Sequence, residues 1–226
     1  MPHRTENGQH PASASDLDIL LVLVPGMGMT ASDFGAEGLI SAAEERYGSI
    51  RTMAVDPGFD GYLDGSVEVN LLATIAEARR DFRPKHVWLA GISLGCQALL
   101  RCIRTQPDLA QGLILITPYL ASTGLIAEIA RSGGLRNWSA ANRGRTDPER
   151  ALLTWLALTP LSTLPRIFVG RAAADRFAMT ATLMADILPA DHVVTVPGAH
   201  DWASWRALWH LILDSQPFGS HRTVAS

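Results

Sequence analysis

Short apolar runs punctuate the chain at Ile19 to Val24, Ile50 to Val55, His86 to Ala90, Leu113 to Thr117, Ile167 to Val169 and His192 to Val196. Each is rich in Val, Ile and Leu and is bounded by Gly or Pro. Continuous apolar runs of that length suit strands buried on both faces, as in a parallel sheet. Between the runs the chain turns amphipathic, and helices are predicted near 31–46, 67–82, 94–106, 176–188 and 201–214. In the third of these, Gln97, Arg101 and Arg104 form one polar stripe, leaving Leu94, Ala98, Cys102 and Ile103 for the sheet. The alternation predicts an open α/β sheet of about six mainly parallel strands, with right-handed crossovers and helices on both faces. Such sheets bind ligands beyond the carboxyl ends of their strands, so chemistry is expected in the loops that follow each strand.

One connection breaks the rhythm. Residues 119–164 carry no strand pattern but do carry helical material, and a segment that long inside a compact domain predicts a small helical cap at the ligand end. Within it, Thr146 and Glu149 have capping-box spacing around Pro148, which predicts a helix running to about Leu158. The expected organisation is a polar tail over 1–16, one domain over 17–216 holding this insertion, and a second tail over 217–226.

Composition narrows the function classes. The 226 residues are 47% hydrophobic and 18% charged, which excludes a disordered polar chain, a collagen-like repeat and a charged coiled coil. A net charge of -3 removes the electrostatic case for nucleic acid as a partner. No apolar run approaches the roughly 20 residues of a membrane span, and residues 1–16 offer no signal-peptide core. Cys96 and Cys102 lie on one predicted helix, too far apart to bridge, so a reducing cytoplasmic compartment is expected. No metal-ligand spacing appears and no cofactor is implied. Of 19 basic residues only Lys85 is lysine, as biased codon usage would produce. Arg131, Arg136, Arg143, Arg145 and Arg150 crowd the insertion beside Glu128, Asp147 and Glu149, which suits either an anionic carrier such as phosphopantetheine or a solvated face.

Candidate chemistry begins directly after the third run, at Gly91-Ile92-Ser93-Leu94-Gly95, followed at once by a helix. A serine at a strand-to-helix turn is forced into a strained conformation that lifts its hydroxyl above the sheet, and flanking glycines let strand and helix diverge without collision. The plainer role for such a serine is a helix cap. A serine nucleophile needs a base. Of seven histidines, His3, His10 and His221 sit in the tails, His86 and His192 open strands at the far end, and His210 lies inside the last helix. His200 alone follows a strand at the same sheet edge as Ser93. The acid that holds the imidazole must also follow a strand, which selects Asp175 after Val169; Asp201, next to His200, suits a cap of the final helix.

The order Ser93, Asp175, His200 in these contexts resembles the α/β-hydrolase superfamily over roughly 17–214. The resemblance implies a three-layer α/β-hydrolase fold, with strand order 2-1-3-4-5-6 expected from it and from the alternation. It also implies an oxyanion hole from the backbone N–H groups of Met27 and Leu94, although Pro25 stands where the family commonly has histidine. The expected activity is hydrolysis of carboxylic esters or thioesters of short to medium acyl groups, free or carrier-bound. An acyltransferase with the same three residues, or a non-catalytic ligand-binding module, are the alternatives. Tyr119, Phe59, Trp155 and Trp202 are candidate pocket residues, with Trp205 and Trp209 assigned to the core.

Overall fold

All six apolar runs become strands of one sheet. The computed structural model describes residues 18–55, 58–141 and 147–219. Strands β1 (Ile19–Val24), β2 (Ile50–Ala54), β3 (His86–Ile92), β4 (Gly112–Ile116), β5 (Arg166–Ala172) and β6 (Val193–Val196) lie in the order β2-β1-β3-β4-β5-β6. Every neighbouring pair is parallel. The register sets Val24 beside Gly91, Ile92 beside Ile116, Ile116 beside Gly170 and Ala172 beside Val196. The loops after five strands therefore open on one edge.

Alternation within each strand builds a core on each side of the sheet. Leu20, Val22, Leu89, Leu113, Leu115, Ile167 and Val169 share one apolar cluster, while Leu21, Leu23, Trp88, Ile114, Ile116 and Phe168 share the other. The first is covered by α4 (Val67–Phe82), α5 (Leu94–Thr105), α6 (Thr123–Arg131), α7 (Leu135–Ala141), α8 (Pro148–Leu158) and α9 (Ala178–Ala185). The second is covered by α1 (Ala31–Ala36), α2 (Leu39–Arg46) and α10 (Trp202–Asp214). This is the three-layer arrangement expected.

Several local expectations need correction. The single helix over 31–46 is two, because Gly38 takes a left-handed φ of 77° between α1 and α2. A short helix, α3 (Phe59–Asp64), stands where only a loop was foreseen. Of the polar stripe of α5, Arg101 and Arg104 stay partly exposed while Gln97 is buried and donates from Nε2 to Leu120 O at 2.9 Å. The cap of α8 is Asp147 rather than Thr146, with its carboxylate accepting from the N–H groups of Glu149 and Arg150. Thr146 lies outside the described residues, as do Arg143, Arg145 and residues 1–17 and 220–226 of the expected tails. The domain also passes the boundary expected at 216. Phe218 is buried, its ring meeting Trp88 at 4.9 Å and Tyr47 at 5.0 Å, because Pro217 O accepts from Arg166 and holds the chain against the sheet.

The expected cap is the largest correction. Leu125, Ile126, Ile129, Leu152, Leu153 and Leu156 all sink into the core cluster and Trp155 packs on it. Its helices extend the layer formed by α5 and α9, and of the described residues of the segment Tyr119 and Glu149 reach the cavity above Ser93.

The glycines around Ser93 are set by contact. A Cβ on Gly95 would lie 2.4 Å from Val24 O and 2.7 Å from Pro25 O, and one on Gly91 would lie 2.8 Å from Cys96 N. These neighbours are backbone and cannot swing aside. Gly95→Ala is expected to cost about 2–3 kcal/mol, as overpacking does, and to lower the urea midpoint accordingly. Gly124→Ala has no neighbour within 4 Å and should leave the midpoint unchanged or slightly raised.

Candidate active site

Ser93 sits between β3 and α5 with φ 53° and ψ −117°, a conformation that costs on the order of 1–3 kcal/mol for a residue with a side chain. Three backbone bonds hold it there. Its N–H donates to Ile116 O at 3.0 Å, and its carbonyl accepts from Cys96 N and Tyr119 N, each at 3.1 Å. The side chain consequently projects into the cavity while the residue stays only 8% exposed.

Asp175 and His200 are brought to it by the loops after β5 and β6. Ala173 N donates to Val196 O at 2.9 Å and Ala174 N to Gly198 O at 2.7 Å, stitching the two loops together just before Asp175 and His200. The result is a continuous chain: Ser93 Oγ to His200 Nε2 at 2.9 Å, and His200 Nδ1 to Asp175 Oδ2 at 2.7 Å. The Asp175 side chain is 1% exposed and that of His200 11%. The second Asp175 oxygen is also used, accepting from Phe177 N at 2.7 Å. A buried carboxylate bonded on both oxygens is fixed in orientation.

The imidazole is gripped from its sides as well. Phe177 and Trp205 meet it edge-on, with centroids at 5.0 and 5.2 Å. Trp205 is itself anchored, its indole N–H donating to Thr117 Oγ1 at 2.8 Å. Thr117 is buried with φ 42°, and its N–H is held by Gly170 O. Asp201 is turned elsewhere: it caps α10 by accepting from Ser204 N at 2.9 Å, and that hydrogen bond holds its carboxyl below the usual range.

Met27 and Leu94 both line the cavity. Leu94 opens α5, so its N–H has no acceptor within the helix. The loop carrying Met27 runs against the serine, with a Cβ on Gly26 falling 3.0 Å from Ser93 Cβ. Neither cysteine competes as nucleophile: burial pushes the Cys96 thiol up, and that of Cys102 up to about 12.

A cavity of about 520 Å³ opens above these groups. Of the candidate pocket residues, Tyr119 lines it. Trp202 does not; it packs on Phe34 and Trp205, and Trp205, assigned to the core, is the tryptophan that faces the cavity. Trp155 is half-buried and packs against the core cluster instead. Phe59 opens α3, and its side chain is outside the described residues. Met29, Tyr62, Gln97, Arg101, Glu149, Arg176 and Phe177 also line the cavity and were not foreseen. For Phe177 and Arg176 a signal existed, since both adjoin Asp175 in the loop after β5.

The expected arginine cluster is partly neutralised. Arg150 meets both Glu128 oxygens, at 2.8 and 2.6 Å, and lies over the Trp138 ring. No helix among the described residues is long and apolar enough to cross a membrane.

Comparison with known proteins agrees with this architecture. Among solved structures, Est1E from Butyrivibrio proteoclasticus is similar at 18% identity and TM-score 0.56, covering 89% of each chain. The S-formylglutathione hydrolase FrmB from Staphylococcus aureus matches at 14% identity and TM-score 0.56, covering 87% of this chain and 80% of that one. An esterase from Pyrobaculum calidifontis matches at 15% identity and TM-score 0.56, covering 90% and 77%. At these identities the likeness is one of fold. No curated protein matches in sequence. The sequence profile of the alpha/beta hydrolase family, however, matches residues 21–225, nearly the whole chain, and the protein belongs to that family.

Proposed function

We propose that the protein is a serine hydrolase that cleaves carboxylic esters or thioesters through an acyl-enzyme on Ser93. The observation that carries this reading is the unbroken hydrogen-bonded chain from Ser93 Oγ through His200 to a buried Asp175. With Nδ1–H donated to Asp175, the imidazole keeps its Nε2 lone pair toward the serine hydroxyl. Ser93 Oγ attacks the substrate carbonyl as His200 takes its proton, and Asp175 stabilises the imidazolium formed. Charge developing on the carbonyl oxygen is met by the N–H groups of Met27 and Leu94. The tetrahedral species collapses, His200 returns the proton to the departing alcohol or thiol, and the acyl group remains on Ser93. Water, deprotonated by the same imidazole, then releases the acid.

Met27, Met29, Phe177 and Trp205 give the cavity apolar wall beside Ser93, and its volume suits a short or medium acyl group. A fluorophosphonate probe tests the assignment directly. It should modify the wild type at Ser93 alone, and Ser93→Ala should not react. Modification at another residue, or none in the wild type, would defeat the proposal.

A further inference from the structure

Arg101 and Arg176 line the cavity that holds Ser93 and His200, and the mechanism above uses neither. Three described arginines meet carboxylates: Arg46 pairs with Asp214, Arg150 with Glu128 and Arg206 with Glu37. Arg101 and Arg176, like Arg79, Arg80 and Arg104, have no such partner among the described residues, and what distinguishes them is their place on the cavity wall, where the Arg176 guanidinium lies over the Phe177 ring at 4.9 Å. Arg101 is half-buried, so its charge is partly removed from water without a protein anion to offset the cost.

Among the described residues, the carboxylate of the cavity wall is that of Glu149. Glu149 is already engaged. Its Oε2 accepts from Ser122 N at 2.9 Å, its Oε1 faces Tyr119 OH at 3.4 Å, and it stands in the first turn of α8, where the helix dipole favours a carboxylate. Two guanidinium groups without a carboxylate partner therefore share the wall with one committed carboxylate, while the buried Asp175 behind it is occupied by His200 and by the N–H of Phe177.

Position relates this charge to the reacting centre. Gln97 and Arg101 stand one turn apart on α5, and Arg101 lies about 12 Å of helical rise beyond the serine that precedes the helix. Side chains on a helix lean toward its N-terminus, so Arg101 leans back toward Ser93. Gln97 between them is held aside by its bond to Leu120 O. Arg176 adjoins Asp175 on the His200 side of the same cavity.

We infer that the substrate carries an anionic group, a carboxylate or a phosphate, received by Arg101 and Arg176 while its ester or thioester carbonyl lies at Ser93. This inference rests on the hydrolase reading above and adds the substrate class to it. Guanidinium groups suit either anion through paired N–H donors, and since Arg101 is half-buried while Arg176 is exposed, the bond to Arg101 is the less screened of the two.

Two substrate pairs distinguish where the anion resides. p-Nitrophenyl esters of adipic and suberic acid, each compared with its terminal carboxamide, place it on the acyl side. Acetyl-phosphopantetheine compared with acetyl-pantetheine places it on the leaving group. In one arm kcat/KM should favour the anionic member at least about tenfold, through KM, and the preference should shrink as salt rises. Arg101→Gln combined with Arg176→Gln should bring that ratio to about one, and the two lysine replacements should keep part of it, with unfolding midpoints measured alongside. A ratio near one in both wild-type arms, or one that survives in the glutamine variant, overturns the inference while hydrolysis of the neutral esters leaves the hydrolase reading standing. Loss of all turnover and of fluorophosphonate labelling would instead defeat the hydrolase reading. Calorimetric titration with suberate and with suberamide then decides the anion site without turnover: the diacid should bind more tightly at low salt in the wild type only, and equal binding overturns it.

Discussion

Ser93→Ala and His200→Ala are each expected to lower kcat on an activated ester by about 10⁵- to 10⁶-fold, and the double variant to be no slower than either single one. The reason is in the connectivity. Ser93 Oγ and His200 Nε2 share one hydrogen bond of 2.9 Å, and each is useful only through it. Without the hydroxyl the imidazole has no proton to take; without the imidazole the hydroxyl stays a weak nucleophile. What remains in every variant is a residual rate from the Met27 and Leu94 N–H groups and from binding in the cavity. Steady-state kinetics on the three variants measure the coupling as a double-mutant cycle. Losses that multiplied would show the two residues acting independently, and the proposed mechanism would not survive that.

The pattern of short apolar runs made the sheet legible, because a strand buried on both faces has no choice but to be apolar throughout. The two cores could not be seen as separate in those runs, yet they follow from the alternation of Leu20 and Val22 against Leu21 and Leu23. Ser93, Asp175 and His200 were legible for a topological reason: each follows a strand, and parallel strands end on one edge. The insertion was misread because its apolar side chains have the same periodicity whether they roof a cavity or extend a helical layer. Leu152, Leu153 and Leu156 choose the layer because α5 offers them a face to cover. Trp205 joins the core as expected and also takes the place on the cavity wall expected of Trp202, for a related reason. Spacing sets both near one stripe of α10, and only the bond from Trp205 to Thr117, far away in sequence, decides which indole meets His200. Arg176 stood beside Asp175 in the sequence, but nothing local marks Arg101 as facing the cavity. That is a property of what the fold brings near it.

Asp175→Asn is expected to lower kcat by about 10⁴-fold, while Asp201→Asn should change it by no more than about twofold. In the native site Asp175 Oδ2 accepts from His200 Nδ1–H, and Oδ1 accepts from the N–H of Phe177 at 2.7 Å. An amide has only one oxygen, and the Phe177 N–H, fixed in the backbone, requires it. The NH₂ group is then turned toward His200 and donates to Nδ1, which forces the imidazole proton onto Nε2. That tautomer points an N–H at Ser93 Oγ and has no lone pair with which to take its proton. Flipping the amide would restore the tautomer only by setting NH₂ against the Phe177 N–H in a site where the side chain is 1% exposed, leaving two buried donors unpaired. At position 201 the same replacement meets a different demand. The side chain there accepts one bond, from Ser204 N at 2.9 Å, and asparagine caps a helix about as well as aspartate does. Turnover of both variants on one ester, with kcat and KM resolved, separates the roles. If Asp201→Asn proved the more damaging, Asp175 would be reduced to a turn-forming residue and the acid partner of His200 would have to be sought in the α10 cap.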